Sequence, residues 1–224
     1  MNHKIKEKLK ISGLNLEAGF AITLSLSGSS AFAFFIRPTA VAHGCSRLAV
    51  ILAYIIYCAA VCLAVLLTGM FFRRFPARAV VCTGAVLYSL GWIAAGLVRF
   101  LPALYLGVGL LSGLGAGALY HFCAGSAAQR PADHKWGALG ILTIGGIIGT
   151  VFWSLAALIL LRFASVFDSY IILGLCCGCL LLLTALLMQP SGHICASLSF
   201  SGPYLAIVLV CIPVVAAIIA VLAV

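Results

Sequence analysis

The sequence predicts an all-α polytopic membrane protein: a six-helix transmembrane bundle followed by one additional C-terminal transmembrane helix. Three observations lead there. Hydrophobic residues make up 65% of the 224-residue chain and charged residues only 8%, where a soluble domain carries about 25% charged residues. The apolar residues fall into seven runs, each near the roughly 20 residues that cross about 30 Å of hydrocarbon. The N-terminal segment and the short turns between the runs hold nearly all of the charge. Disorder needs the opposite composition. A β-barrel needs short alternating segments, and none are visible in the sequence. The spans are predicted as helices because a helix satisfies its own backbone groups in lipid.

Residues 1–17 form a basic N-terminal segment with Lys4, Lys6, Lys8 and Lys10. No small-residue cleavage site follows the first apolar run, so no signal peptide is predicted. The bundle covers 18–188. Its first span is 18–36, and Arg37-Pro38 is expected to break the chain after it. Span two is 48–72, followed by a basic turn with Arg73, Arg74, Pro76 and Arg78. Span three is 79–100, and a tight turn through Arg99 and Pro102 leads into span four, 102–126. A polar loop at 127–136 carries Arg130, Asp133 and Lys135. Span five is 137–161, and Arg162 to Asp168 joins it to span six, 169–188. A polar linker rich in Gly, Pro and Ser occupies 189–203, ahead of a seventh helix at 204–224.

Net charge is +9, but the basic residues sit at the ends of apolar runs rather than in one patch. That pattern fits anionic headgroups and cytoplasmic loops, and it excludes nucleic acid as the partner. With the N-terminus cytoplasmic, inside loops carry Lys4, Lys6, Lys8, Lys10, Arg73, Arg74, Arg78, Arg130 and Lys135. Outside loops carry Arg37, Arg47, Arg99 and Arg162. The bias places the N-terminus and the 189–203 linker inside. Nearly all of the ten cysteines lie within apolar runs, where a free Cys acts as a small apolar residue. Cys176, Cys177 and Cys179 lack a second Cys/His pair at zinc-site spacing, so neither metal nor cofactor is expected.

Span four carries Gly109, Gly113 and Gly117 in one helical row, and span five carries Gly145 and Gly149. Such rows let helix backbones approach closely in lipid. They read either as static packing or as a low-friction surface for helices that rock. Intramembrane charges mark function by default, yet Glu17, Asp133 and Asp168 all fall at span ends or in loops. A membrane hydrolase would need a nucleophile with a base or metal in reach, so the chain is not read as an enzyme. His121, near the inner end of span four, is the one candidate for a proton or ligand role. Uncharged polar residues are more frequent: Ser25, Ser27, Ser29 and Ser30, then Tyr54, Tyr57, Tyr88, Ser89, Trp92, Tyr120, Thr143, Thr150, Trp153 and Ser154. They suit either a path for a small polar solute or interhelical hydrogen bonds and aromatic belts.

After span two the chain reads Gly69-Met70-Phe71-Phe72-Arg73-Arg74-Phe75-Pro76-Ala77-Arg78. This resembles the loop signature of the major facilitator superfamily, at the place where that family has it. The Gly-rich span four ending in Tyr120, a basic loop with Trp136, and a Gly-rich span five resemble its oxalate/formate antiporter and monocarboxylate permease branch. The resemblance covers about 20–188, the size of one family half. It implies a six-helix major-facilitator-type half bundle, with two such halves enclosing the solute. It implies cavity-lining roles for Tyr120 and, more weakly, Tyr88 and Trp92. Arg73 stands where the family has an acid that locks the cytoplasmic gate, and Pro76 where it has a second glycine.

The function expected from the resemblance is transport of a small organic anion, a monocarboxylate or dicarboxylate, through the inner (plasma) membrane of a bacterium. The partner expected is a second copy or a second half-transporter chain. The alternative is a structural or regulatory membrane subunit that keeps the half-transporter fold without transporting. A retinal-type receptor would need a lysine in the last span, and 204–224 has none.

Overall fold

The computed structural model describes residues 16–71, 76–128 and 132–187. Six helices account for them: α1 (Leu16–His43), α2 (Arg47–Phe71), α3 (Ala77–Leu97), α4 (101–128), α5 (Ala132–Phe163) and α6 (Val166–Leu187). Each contains a stretch long and apolar enough to cross a membrane. No strand occurs among the described residues. The protein is an all-α integral membrane bundle. Residues 1–15, the 189–203 linker and the expected seventh helix at 204–224 lie outside the described residues.

The helix ends show where local rules yield. The sequence reading ends the first helix at Arg37-Pro38, but α1 runs through Pro38 to His43. Pro38 lies inside the helix and forfeits its bond to the Phe34 carbonyl, a loss that transmembrane helices tolerate when neighbouring groups re-satisfy the freed backbone. The helix stops at Gly44, which adopts the left-handed conformation at φ 61°. Gly44 N–H donates to Val41 O at 3.2 Å and Cys45 N–H to Ala40 O at 3.0 Å, the paired bonds of a Schellman motif. Helix α5 begins five residues before the expected 137. Pro131-Ala132-Asp133 explains this, since proline ahead of a first turn and an acid within it both favour a helix start.

Two spans depart from regular α-helix. α1 tightens to a 3₁₀ segment at Ser27–Ala31. α4 opens with Leu101–Leu104, widens to a π-helical stretch at Tyr105–Leu111, and continues as Ser112–Ala128. Such stretches usually mark functional or strained positions. Here the π stretch turns Gly107 toward α3 and Gly109 toward α2.

The most extensive packings pair α3 with α6, α2 with α4, α3 with α4, and α1 with α5. Exchanging α1 with α4, α2 with α5 and α3 with α6 carries the α2/α4 pair onto α1/α5 and leaves α3/α6 in place. The α1/α6 contact, counterpart of α3/α4, is lighter. α3 and α6 pack on each other across this exchange, α1 and α4 are the most buried spans, and α2 and α5 leave most of their surface exposed.

Cys45 is half-buried in the turn between α1 and α2. With the N-terminus cytoplasmic, an impermeant maleimide added outside intact cells should modify Cys45, as read by peptide mass spectrometry. Labelling of Cys45 only after permeabilisation would reverse the orientation. Cys195, its expected inside counterpart, lies outside the described residues.

Candidate functional site

The centre of the bundle is aromatic. Helical spacing puts Phe32 and Phe35 on one face of α1, Tyr54 and Tyr57 on one face of α2, and Tyr88 and Trp92 on one face of α3. Tyr170 enters from α6. Phe32 stacks on Tyr54 with ring centroids 5.8 Å apart and meets Trp92 edge-on at 6.4 Å. Tyr170 lies 4.9 Å from Phe35 and 5.7 Å from Trp92. Each such pair adds about 0.5–1.5 kcal/mol beyond its burial, so one cluster ties four helices together.

Polar atoms in this cluster divide sharply. The Thr39 and Tyr170 hydroxyls share a buried hydrogen bond of 2.8 Å. Tyr57 Oη, Tyr88 Oη and Trp92 Nε1 are enclosed with no hydrogen-bond partner among the described residues. Tyr57 Oη adjoins Ser29, outside hydrogen-bonding geometry, and the Ser29 hydroxyl donates to Leu26 O at 3.0 Å. An unpartnered buried polar group costs about 1–3 kcal/mol.

Around the cluster, helices touch through backbone. Gly113 and Gly117 of α4 face α2: an ideal Cβ on Gly113 would stand 2.7 Å from Ala60 Cβ and 2.8 Å from Tyr57 O. Gly109 meets Ile56 and Ala53 of the same helix. The opposite edge of α4 presents Gly107 and Gly115 to Gly91 and Gly84 of α3. On α5, Gly145 and Gly149 face Phe20, Thr23 and Leu24 of α1. Hydrogen bonds accompany these approaches. Ser27 donates to Gly146 O at 2.8 Å and Trp153 Nε1 to Leu24 O at 3.0 Å, joining α1 and α5. Ser89 donates to Gly174 O at 3.0 Å between α3 and α6, and Tyr105 to Ala49 O at 2.9 Å between α4 and α2. Interhelical bonds of this kind average about 0.6 kcal/mol in a membrane protein. Ser25, Thr143 and Thr150 instead bond to carbonyls one turn earlier in their own helices.

Of the expected cavity residues, Tyr88 and Trp92 are fully enclosed at 0% exposure. Tyr120 and His121 are half-buried in α4. Gly69 falls in the last turn of α2, Arg78 is half-buried at the start of α3, and Arg73 and Arg74 lie outside the described residues. Cys177 is buried while Cys176 and Cys179 are exposed, so the three do not converge.

No family model and no curated protein matches the chain. Its chemistry is therefore read from the bundle itself.

Sequence reasoning missed Phe32, Phe35, Thr39 and Tyr170 as members of the centre. The i, i+3 spacing of Phe32 and Phe35 was available as a signal. The Thr39–Tyr170 bond spans 131 positions and has no local signature. At the bundle end holding the α1/α2 and α3/α4 turns, the Arg99 guanidinium lies 5.2 Å over the Phe167 ring, and His43 meets that ring edge-on at 5.3 Å.

Proposed function

We propose that this six-helix bundle is one half of a membrane carrier of the major facilitator type for a small organic anion, working beside a second such unit. The observation that carries this reading is the pairing of α2 with α4 and of α1 with α5. The two pairs are equivalent under a three-plus-three exchange, and both are lined with glycine on one partner. Inverted three-helix repeats are a recurring plan of secondary transporters. Backbone-close glycine contacts suit helices that shift against one another without side-chain interlocking. The basic residues Arg47, Arg99 and Arg162 at the helix ends would attract an anion to the entrance.

A second reading, a structural or regulatory subunit with this fold, draws support from the enclosure of Tyr88 and Trp92. Packed solid, these side chains would serve stability alone. Uptake of labelled formate, oxalate and lactate into liposomes separates the two. Saturable uptake above protein-free liposomes supports the carrier, and none under any oligomeric condition supports the subunit.

A further inference from the structure

Contacts at one end of the bundle tie three turns together. An ideal Cβ on Gly96, in the last turn of α3, would stand 2.6 Å from Phe167 O in the first turn of α6. Tyr105 Oη donates to Ala49 O at 2.9 Å, joining the start of α4 to the start of α2. The Phe167 ring receives His43, the last residue of α1, edge-on at 5.3 Å. The Arg99 guanidinium, from the α3/α4 turn, lies over the same ring at 5.2 Å from its centroid. The acid next in sequence, Asp168, is engaged elsewhere. It accepts from the Ser165 hydroxyl at 2.6 Å, and its own N–H donates to Ser165 Oγ at 3.2 Å, which caps α6. No hydrogen bond or ion pair to the Arg99 guanidinium occurs among the described residues. The stack therefore holds a cation in place without supplying its anion.

We propose that Arg99 and His43, on the Phe167 platform, bind the phosphate of an anionic phospholipid. Stacking covers one face of a guanidinium but leaves the N–H groups in its plane free to donate, and a phosphate takes two of them in parallel. The imidazole N–H of His43 adds a further donor. Depth selects the source of the phosphate. His43, Arg99 and Phe167 stand at or beside the ends of three apolar spans, the level of the headgroup layer. Charge selects the class of lipid. Arg47, Arg99 and Arg162 outnumber Asp168 at this end, so a lipid with net negative charge suits it better than a zwitterionic one that brings its own cation. The site stands whether or not the bundle transports.

The test uses the full chain in neutral detergent. Its melting temperature is read against added phosphatidylglycerol, phosphatidylcholine and soluble glycerol phosphate. Phosphatidylglycerol should raise it by about 5–10 °C near saturation, and native mass spectrometry should show the lipid retained. The other two should raise it far less. Each variant is compared with itself, with and without lipid, so a change in intrinsic stability does not enter. Arg99→Gln should remove most of the phosphatidylglycerol increment, and His43→Gln should reduce it. Phe167→Leu keeps every charge but removes the platform, so it should weaken the increment too. Arg162→Gln removes an exposed cation from the same end of the bundle and should leave the increment in place. An equal increment with glycerol phosphate would assign a soluble anion and overturn the lipid site. Equal losses in Arg99→Gln and Arg162→Gln, or no increment with phosphatidylglycerol at all, would overturn it as well.

Discussion

Leucine at Gly113 or at Gly149 should cost the bundle more than about 3 kcal/mol, beyond the usual range for overpacking. At roughly 2–4 °C per kcal/mol for a bundle of this size, the melting temperature in detergent should fall by about 10 °C or the bundle should fail to assemble. The reason lies in what the first added atom meets. A Cβ on Gly113 already overlaps Ala60 Cβ and the Tyr57 carbonyl oxygen, and one on Gly149 overlaps the Leu24 carbonyl and Cα. These are backbone and Cβ atoms, with no rotamer to give way, so two whole helices must separate. The same helix supplies the control. Gly140 of α5 faces open space, with nothing within 4 Å of an ideal Cβ. Gly140→Ala should be neutral or gain up to about 1 kcal/mol from helix propensity. Leucine at exposed Val151 of α5 should stay within about 0.5 kcal/mol. Thermal scans of the four variants check this, and equal melting temperatures across them would remove the close-contact account.

That contrast also marks how far the sequence could be read. Six spans were legible because apolar length is a one-dimensional signal. The rows Gly109/Gly113/Gly117 and Gly145/Gly149 were legible because four-residue spacing makes a face. Gly174 and Gly178 of α6 have the same spacing, and they meet Trp92, Ile93 and Ser89 of α3. Gly84 and Gly91 lie seven apart and gain meaning only from Gly115 and Gly107 on the facing helix. Pro38 shows a local rule yielding to context, since a helix packed in a membrane bundle tolerates an internal proline. The aromatic residues were ambiguous for a deeper reason. Tyr and Trp suit a membrane interface and a buried core equally well, and only the partners decide. Tyr54 and Trp92 found Phe32 of α1, and Trp92 also found Tyr170 of α6. Trp153 found the carbonyl of Leu24, 129 positions away.

Liposomes holding the chain as verified monomers should accumulate no labelled formate, oxalate or lactate above protein-free controls. A carrier needs a cavity that closes alternately on each side, which takes two bundles moving about a central site. The described residues form one bundle, and its centre is filled by Phe32, Tyr57, Tyr88, Trp92 and Tyr170. An anion there would meet hydroxyls and ring faces but no cation, because Arg47, Arg99 and Arg162 stand at the helix ends and Arg37, within α1, is exposed on the outer surface of the bundle. Burying an unpaired carboxylate costs several kcal/mol even after relaxation, and each 1.36 kcal/mol added to a barrier slows passage tenfold. Three such increments already bring uptake down about a thousandfold. Activity should therefore appear only when a second copy, or a partner unit contributing Arg or Lys, completes the cavity across the exposed faces of α2 and α5. The assay pairs uptake with crosslinking of the same vesicles, across lipid-to-protein ratios that shift monomer to dimer. Uptake rising with the dimer fraction is the expected result. Robust, saturable uptake by the monomer would refute the two-unit requirement, and Arg99 and His121 would then be the first residues to replace.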